Sequence, residues 1–174
     1  IDAAALKGAL QAGGPVVSVL GGGIDVPYPW SNRFLYQDVA AAGLLISEYP
    51  PGTENRGEHF PVRNRIISGL SLGVLAVEAE ELSGTMITAH LAADQGRDVF
   101  AVPGNINTPM SRGTNRLIQE GAMLVRESAD ILRSYELCYP GRLRRATPLT
   151  PEKSDARVEE AARTVVPEAP AQPV

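Results

Sequence analysis

Two arginines, Arg63 and Arg65, stand in HFPVRNR (59–65), where an apolar pattern of helical period is about to begin. A helix start exposes four unbonded N–H groups and carries about half a positive charge, so a cation there costs roughly a few tenths of a kcal/mol unless an anion docks beside it. The feature recurs in SRGTNR (111–116), where Arg112, Asn115 and Arg116 fall on the expected first turn of another helix. Repeated, it points to a polyanion held at both places; the plainer alternative is solvated surface arginine, which is cheap. Arg56, His59 and Phe60 flank the first pair. Phe60, one of only three Phe, would either stack on a base or fold back as a hydrophobic staple before the helix.

Two more stretches offer donors to an anion. GGGIDVPYP (21–29) opens with Gly21, Gly22 and Gly23, whose bare backbone lets N–H groups approach a ligand closely, or simply allows a tight packing turn. It lacks the spacing of a dinucleotide fingerprint or a phosphate loop. Ser83, Gly84 and Thr85 mark a helix start with hydroxyls and unpaired N–H groups, suited equally to an anion and to ordinary capping.

Catalytic and metal chemistry find little support. Two histidines, of which His90 lies in an apolar helix, and one cysteine, Cys138, give no metal-ligand spacing. No G-x-S-x-G elbow or nucleophile–base pairing occurs. The acidic run EAEE (78–81) reads mainly as solvated loop. No catalytic residue, metal or cofactor is therefore expected.

These residues need a frame to hold them. The 174 residues, 44% apolar and 21% charged, suit one soluble domain with a tail, and no apolar run approaches the ~20 residues of a membrane span. One cysteine excludes an internal disulfide and fits a reducing compartment, the cytoplasm. The chain opens IDAAAL without Met or a signal-peptide pattern, as a fragment would. Net charge is −4; residues from 147 carry five acidic and three basic groups, leaving −2 for 1–146. A uniformly basic nucleic-acid coat is excluded, a local basic pocket is not. That Pro- and Ala-rich end, 147–174, reads as a linker or tail with a short helix around 157–164.

Along 1–146 the periodicities predict helices at 1–12, from a Ser31 or Asn32 cap to 42, and at 62–70, 84–95, 112–120 and 127–136. Short apolar strands are predicted at 16–20, 44–49, 73–79, 98–104 and 122–125. Alternating strands and helices, with strands apolar on both faces, predict an α/β fold in which helices cover both faces of a parallel sheet. Such sheets bind ligands at the carboxyl ends of their strands.

VLGGGIDVPYPWSNR, GLLISEYPPGT, HFPVRNRIISGLS, GVLAVEAEELSGTMITAHLAADQGRDVFAVPGN and SRGTNRLIQEGAMLV follow in this order, and together they closely resemble the DNA-processing protein A (DprA, or Smf) family over about residues 1–136. The resemblance implies a Rossmann-like domain that binds single-stranded DNA without cutting it, forms a homodimer, and loads RecA recombinase on incoming strands in natural transformation. It implies a DNA pocket to which His59, Phe60, Arg63, Asn64 and Arg65 contribute, and dimer and RecA contacts near Ile131, Leu132 and Tyr135. It also implies that the N-terminal part of the domain, with a G-S-R turn, is missing from this chain. Leu6 stands where the family has a histidine, and Gly57 where it often has a basic residue, with Arg56 the nearest substitute. The rival from another class is a nucleotide-binding Rossmann-like enzyme, such as a nucleoside-monophosphate phosphoribohydrolase, with Glu78, Glu80 or Glu81 as its acid. A third reading is a dimerising adaptor with a vestigial DNA site.

Overall fold

A computed structural model describes residues 1–143; the tail expected at 147–174 and its short helix lie outside the described residues. Two compact units divide the described chain, one over Ile1–Glu54 and one from Asn55 onward.

The first unit runs α1 (Asp2–Gln11), β1 (Val17–Val19), a 3-10 turn (Trp30–Asn32), α2 (Arg33–Ala42) and β2 (Leu44–Ile46). Gly13, with φ of 70°, takes the left-handed turn that ends α1. β1 and β2 pair in parallel, Val17 opposite Leu44 and Val19 opposite Ile46. Val16, Val19 and Val39 are buried, so α2 gives its one buried side chain to the core of this unit. Asn32 takes the N-cap place of α2, but its side chain makes no capping bond; the preceding 3-10 turn leads the chain in instead.

The second unit runs α3 (His59–Leu70), β3 (Gly73–Ala76), α4 (Gly84–Asp94), β4 (Asp98–Ala101), α5 (Pro109–Gln119), β5 (Met123–Leu124) and α6 (Ser128–Glu136). Its sheet is parallel with β4 in the centre, Ala76 opposite Ala101 and Phe100 opposite Met123. Alternation along β3 and β4 sends Ala76 and Ala101 to one face, where with Met86 and Ala89 of α4 and Leu117 of α5 they form the core cluster. Phe100, the next residue of β4, points to the other face, and the Tyr135 ring of α6 meets it edge-on at 6.0 Å. Helices thus cover both faces, as the alternating pattern predicts. Among the described residues no helix is long and apolar enough to cross a membrane.

Two helices begin three residues earlier than expected, for the same physical reason. α3 starts at His59 and α5 at Pro109, each taking a proline into its first turn. Proline reads as a breaker in sequence, yet in a first turn its missing N–H would have had no partner anyway.

Candidate nucleic-acid interface

The earlier helix starts move the arginines. Arg63 and Arg65 are the fifth and seventh residues of α3, beyond the turn where the helix dipole opposes a cation. Arg116 lies in the last turn of α5, and only Arg112 remains on a first turn. The expectation of four cations on two helix starts is corrected accordingly, and the repeated anomaly no longer serves as the pointer to a polyanion.

Within α3 the block is built from stacking. Phe60 and Arg63 are three residues apart, hence on one side of the helix, and the Arg63 guanidinium lies over the Phe60 ring at 5.4 Å from its centroid. Phe60 is inside the first turn, not ahead of it, so the staple before the helix does not form. Arg63 Nε donates to Asn64 Oδ1 at 3.2 Å. Asn64 is only 8% exposed, and its Oδ1 braces Arg63. Arg65 is exposed, while its carbonyl accepts from Gln95 Nε2 at 3.1 Å. Ser68, fully buried, donates to Gln95 Oε1 at 2.7 Å, and Arg97 donates to the Gly69 carbonyl at 2.8 Å. These bonds pin the second half of α3 to the turn between α4 and β4. Arg56 is exposed beside Glu58 at 4.0 Å, and His59 is half-buried.

On α5 two of the expected contact residues also hold the fold together. Asn115 donates to the Gly104 carbonyl at 3.0 Å and accepts its N–H at 3.1 Å, closing the loop after β4 onto the helix. Arg116 Nε donates to Glu120 Oε1 at 2.8 Å, and Glu120 Oε2 meets His90 Nε2 at 3.1 Å, so α4 and α5 are bridged at their surface. Those two hydrogen bonds hold the Glu120 carboxyl below its usual range, Arg116 contributing more than His90. The i,i+4 spacing of Arg116 and Glu120 was a readable signal for this pair. Arg112 is exposed.

The backbone donors divide as well. Gly23 N–H is already donated to the Thr53 carbonyl at 2.8 Å, and a Cβ at Gly23 would meet Gly52 N at 2.8 Å and Pro50 O at 2.9 Å. Gly23 is therefore a packing glycine, and its N–H, expected to face a phosphate, is bonded within the fold. The Gly22 carbonyl accepts from Ser47 Oγ at 2.7 Å; Gly21 and Gly22 are buried. Ser83 takes the N-cap of α4 without a capping bond, and its buried Oγ has no hydrogen-bond partner among the described residues. Gly84 and Thr85 follow on the first turn, and a Cβ on Gly84 would meet open space.

Of the residues expected to contact a partner from α6, Leu132 is 46% exposed and Ile131 half-buried. The Tyr135 ring packs inward against Phe100; burial, then the neighbouring Asp98 carboxylate, pushes its hydroxyl up to about 12. Glu78, Glu80 and Glu81 are exposed, and Cys138 is exposed. Among the described residues no three His, Cys, Asp or Glu side chains converge to hold a metal.

Residues 1–136 match the family model of DNA recombination-mediator protein A. The chain is 48% identical over 136 residues to DNA processing protein DprA of Streptococcus pneumoniae, covering 78% of this chain and 48% of that protein. It is 45% identical over 137 residues to protein Smf of Escherichia coli, covering 78% and 37% respectively. The X-ray structure of DNA processing protein A from S. pneumoniae superposes with a TM-score of 0.72 at 47% identity, over 76% of this chain and 47% of that one. A structure describing the single-stranded DNA binding mode of DNA processing protein A from Helicobacter pylori superposes with a TM-score of 0.65 at 29% identity, over 71% of this chain and 57% of that one. The chain spans about half, or less, of the length of these relatives.

Proposed function

The chain belongs to the DNA recombination-mediator protein A family, and from that premise we propose that it binds single-stranded DNA and acts as a recombination mediator, not as an enzyme. The observation that carries the proposal is the stacked pair on α3, Arg63 over Phe60, with Arg65 exposed one residue beyond the buried Asn64. An aromatic face beside cations is how sequence-tolerant single-strand binders hold unpaired bases and their phosphates. Within the same unit Arg56, His59 and Arg112 add polar and positive groups, and the start of α4 at Ser83–Thr85 adds backbone donors. Arg116, neutralised by Glu120, contributes less.

The same premise supports RecA loading on incoming strands in natural transformation, homodimer formation, and a cytoplasmic setting. The exposed Leu132 with Ile131 on α6 forms the candidate contact for the dimer or for RecA, and Tyr135 supports that helix from beneath. The Pro- and Ala-rich residues 147–174 would serve as a linker beyond the domain.

Fluorescence anisotropy of a labelled ~20-nucleotide poly-dT strand across a salt series, with duplex competitor, tests the central claim. Phosphate-driven binding to a single strand weakens linearly in log salt, with a slope of about −0.7 per neutralised phosphate. Saturable, salt-sensitive binding preferring single strands is expected; no saturable binding would overturn it.

A further inference from the structure

The cation that does occupy the first position of a helix is Arg33, at the head of α2. Its guanidinium lies 4.2 Å from the centroid of the Phe34 ring and 5.5 Å from that of Trp30. Both rings stand in water, 62% and 65% exposed, in a chain whose aromatic content is only 5%. A large aromatic side chain ordinarily gains most of its stabilisation by burial, so two of them held outward around one cation mark a binding surface. Their place agrees: the loop leaving the carboxyl end of β1 delivers the chain into the 3-10 turn and α2, and parallel sheets take ligands at that end of a strand.

The chemistry selects the occupant. Flat π faces accept any nucleobase, and one planar cation between them accepts one phosphate while adding its own stacking face. Residues 1–54 hold two basic groups, Lys7 and Arg33, against five acidic ones, Asp2, Asp25, Asp38, Glu48 and Glu54, a balance of −3. Such a balance disfavours a long phosphate track, and the single local cation, Arg33, leaves room for one phosphate contact beside one or two unpaired bases. A duplex hides its base faces and is refused.

We propose that Trp30, Arg33 and Phe34 form a stacking platform for one or two unpaired nucleobases of single-stranded DNA. The proposal rests on the single-strand-binding function above and adds to it a contact outside the HFPVRNR block.

Trp30 is the only tryptophan, so its emission reports this platform alone. The full chain is titrated with ~20-nucleotide poly-dT while Trp30 emission and the anisotropy of a labelled strand are followed in parallel. Emission is expected to quench and saturate together with the anisotropy rise, and not to respond to duplex. Trp30→Ala should weaken binding roughly 5- to 150-fold, the worth of one stacked base, with the salt slope unchanged, and Trp30→Phe should restore most of the loss. Because Trp30 is exposed, these variants should fold, which circular dichroism verifies. Binding by anisotropy with constant Trp30 emission, and a Trp30→Ala variant that binds like the parent, would overturn the platform and leave single-strand binding standing; a platform that serves a protein partner gives this result. Absence of binding by anisotropy would overturn both.

Discussion

The Asn115 side chain meets the Gly104 peptide as a strand partner would, donating to its carbonyl at 3.0 Å and accepting its N–H at 3.1 Å. One carboxamide thereby fixes the loop after β4 against α5, a structural task for a residue that its sequence context offers as a ligand contact. Asn115→Ala loses both bonds and should cost about 1–2 kcal/mol in urea unfolding. Asn115→Asp turns the donor into an acceptor facing a carbonyl and should cost as much or more. An unchanged unfolding midpoint in both variants would show that the clamp contributes nothing.

Arg63 and Phe60 should behave as one unit, since the guanidinium is held over the ring and by Asn64. In anisotropy titrations, Arg63→Ala and Phe60→Ala should each weaken single-strand binding, and the double variant should lose less than the sum. Arg65→Ala, by contrast, should flatten the salt slope by about 0.7, the share of one phosphate. Arg116→Ala should change the slope little, because Glu120 already neutralises that cation. Additive losses at positions 60 and 63 would break the pairing.

Gly113 is where α5 crosses the chain beyond β3. Its N–H donates to the Ala79 carbonyl at 2.9 Å, and a Cβ there would meet Ala79 O at 2.7 Å and Glu80 O at 2.8 Å. These are backbone atoms that cannot rotate away. Gly113→Ala, which elsewhere in a helix would stabilise, should here destabilise by about 1–3 kcal/mol. A thermal midpoint at or above the parent's would contradict the crossing geometry.

The start of α6 should respond to acid. Asp130 accepts from the N–H groups of Arg126 at 3.0 Å and Glu127 at 3.2 Å, completing a capping box with Glu127. Those backbone bonds, then the Arg126 and Arg133 charges, hold its carboxyl below the usual carboxylate range. A depressed folded value means the ionised form stabilises the fold. Its contribution is complete above the unfolded carboxylate value of about 3.9 and is lost as pH falls through the lower folded one. Hydrogen exchange at Arg126 and Glu127 should therefore gain an acid-dependent component below pH ~4, corrected for intrinsic exchange, which Asp130→Asn abolishes. Equal behaviour of parent and variant would remove Asp130 from the cap.

Element type and order were legible because each strand is a short apolar run and each helix has a clear period, from VVSVL to the last helix at 127–136. What escaped was set by partners distant in sequence. The prolines at 61 and 109 punctuate a linear reading, while the structure uses both inside first turns. Asn64 and Asn115 advertise polar contacts, and only the fold shows one buried and the other closed on Gly104. The Trp30–Arg33–Phe34 cluster lay in plain view as W-S-N-R-F, but an aromatic is ordinarily taken for core until its exposure is known.

The two faces of the central strand β4 are unequal: Ala101, paired with Ala76, lies under α4 and α5, whereas the next residue, Phe100, lies under α6. Two methyl groups thus set how near the sheet come the helices that carry Ser83–Thr85 and Arg112, with no polar atom of their own and no ligand to touch. Bulk added at position 76 or 101 would lift both helices, while bulk removed at position 100 would hollow the seat of α6. The spacing of α4 and α5 and the firmness of α6 are therefore adjusted from neighbouring links of one strand, so drift in either property has a hidden dial that the surface does not show.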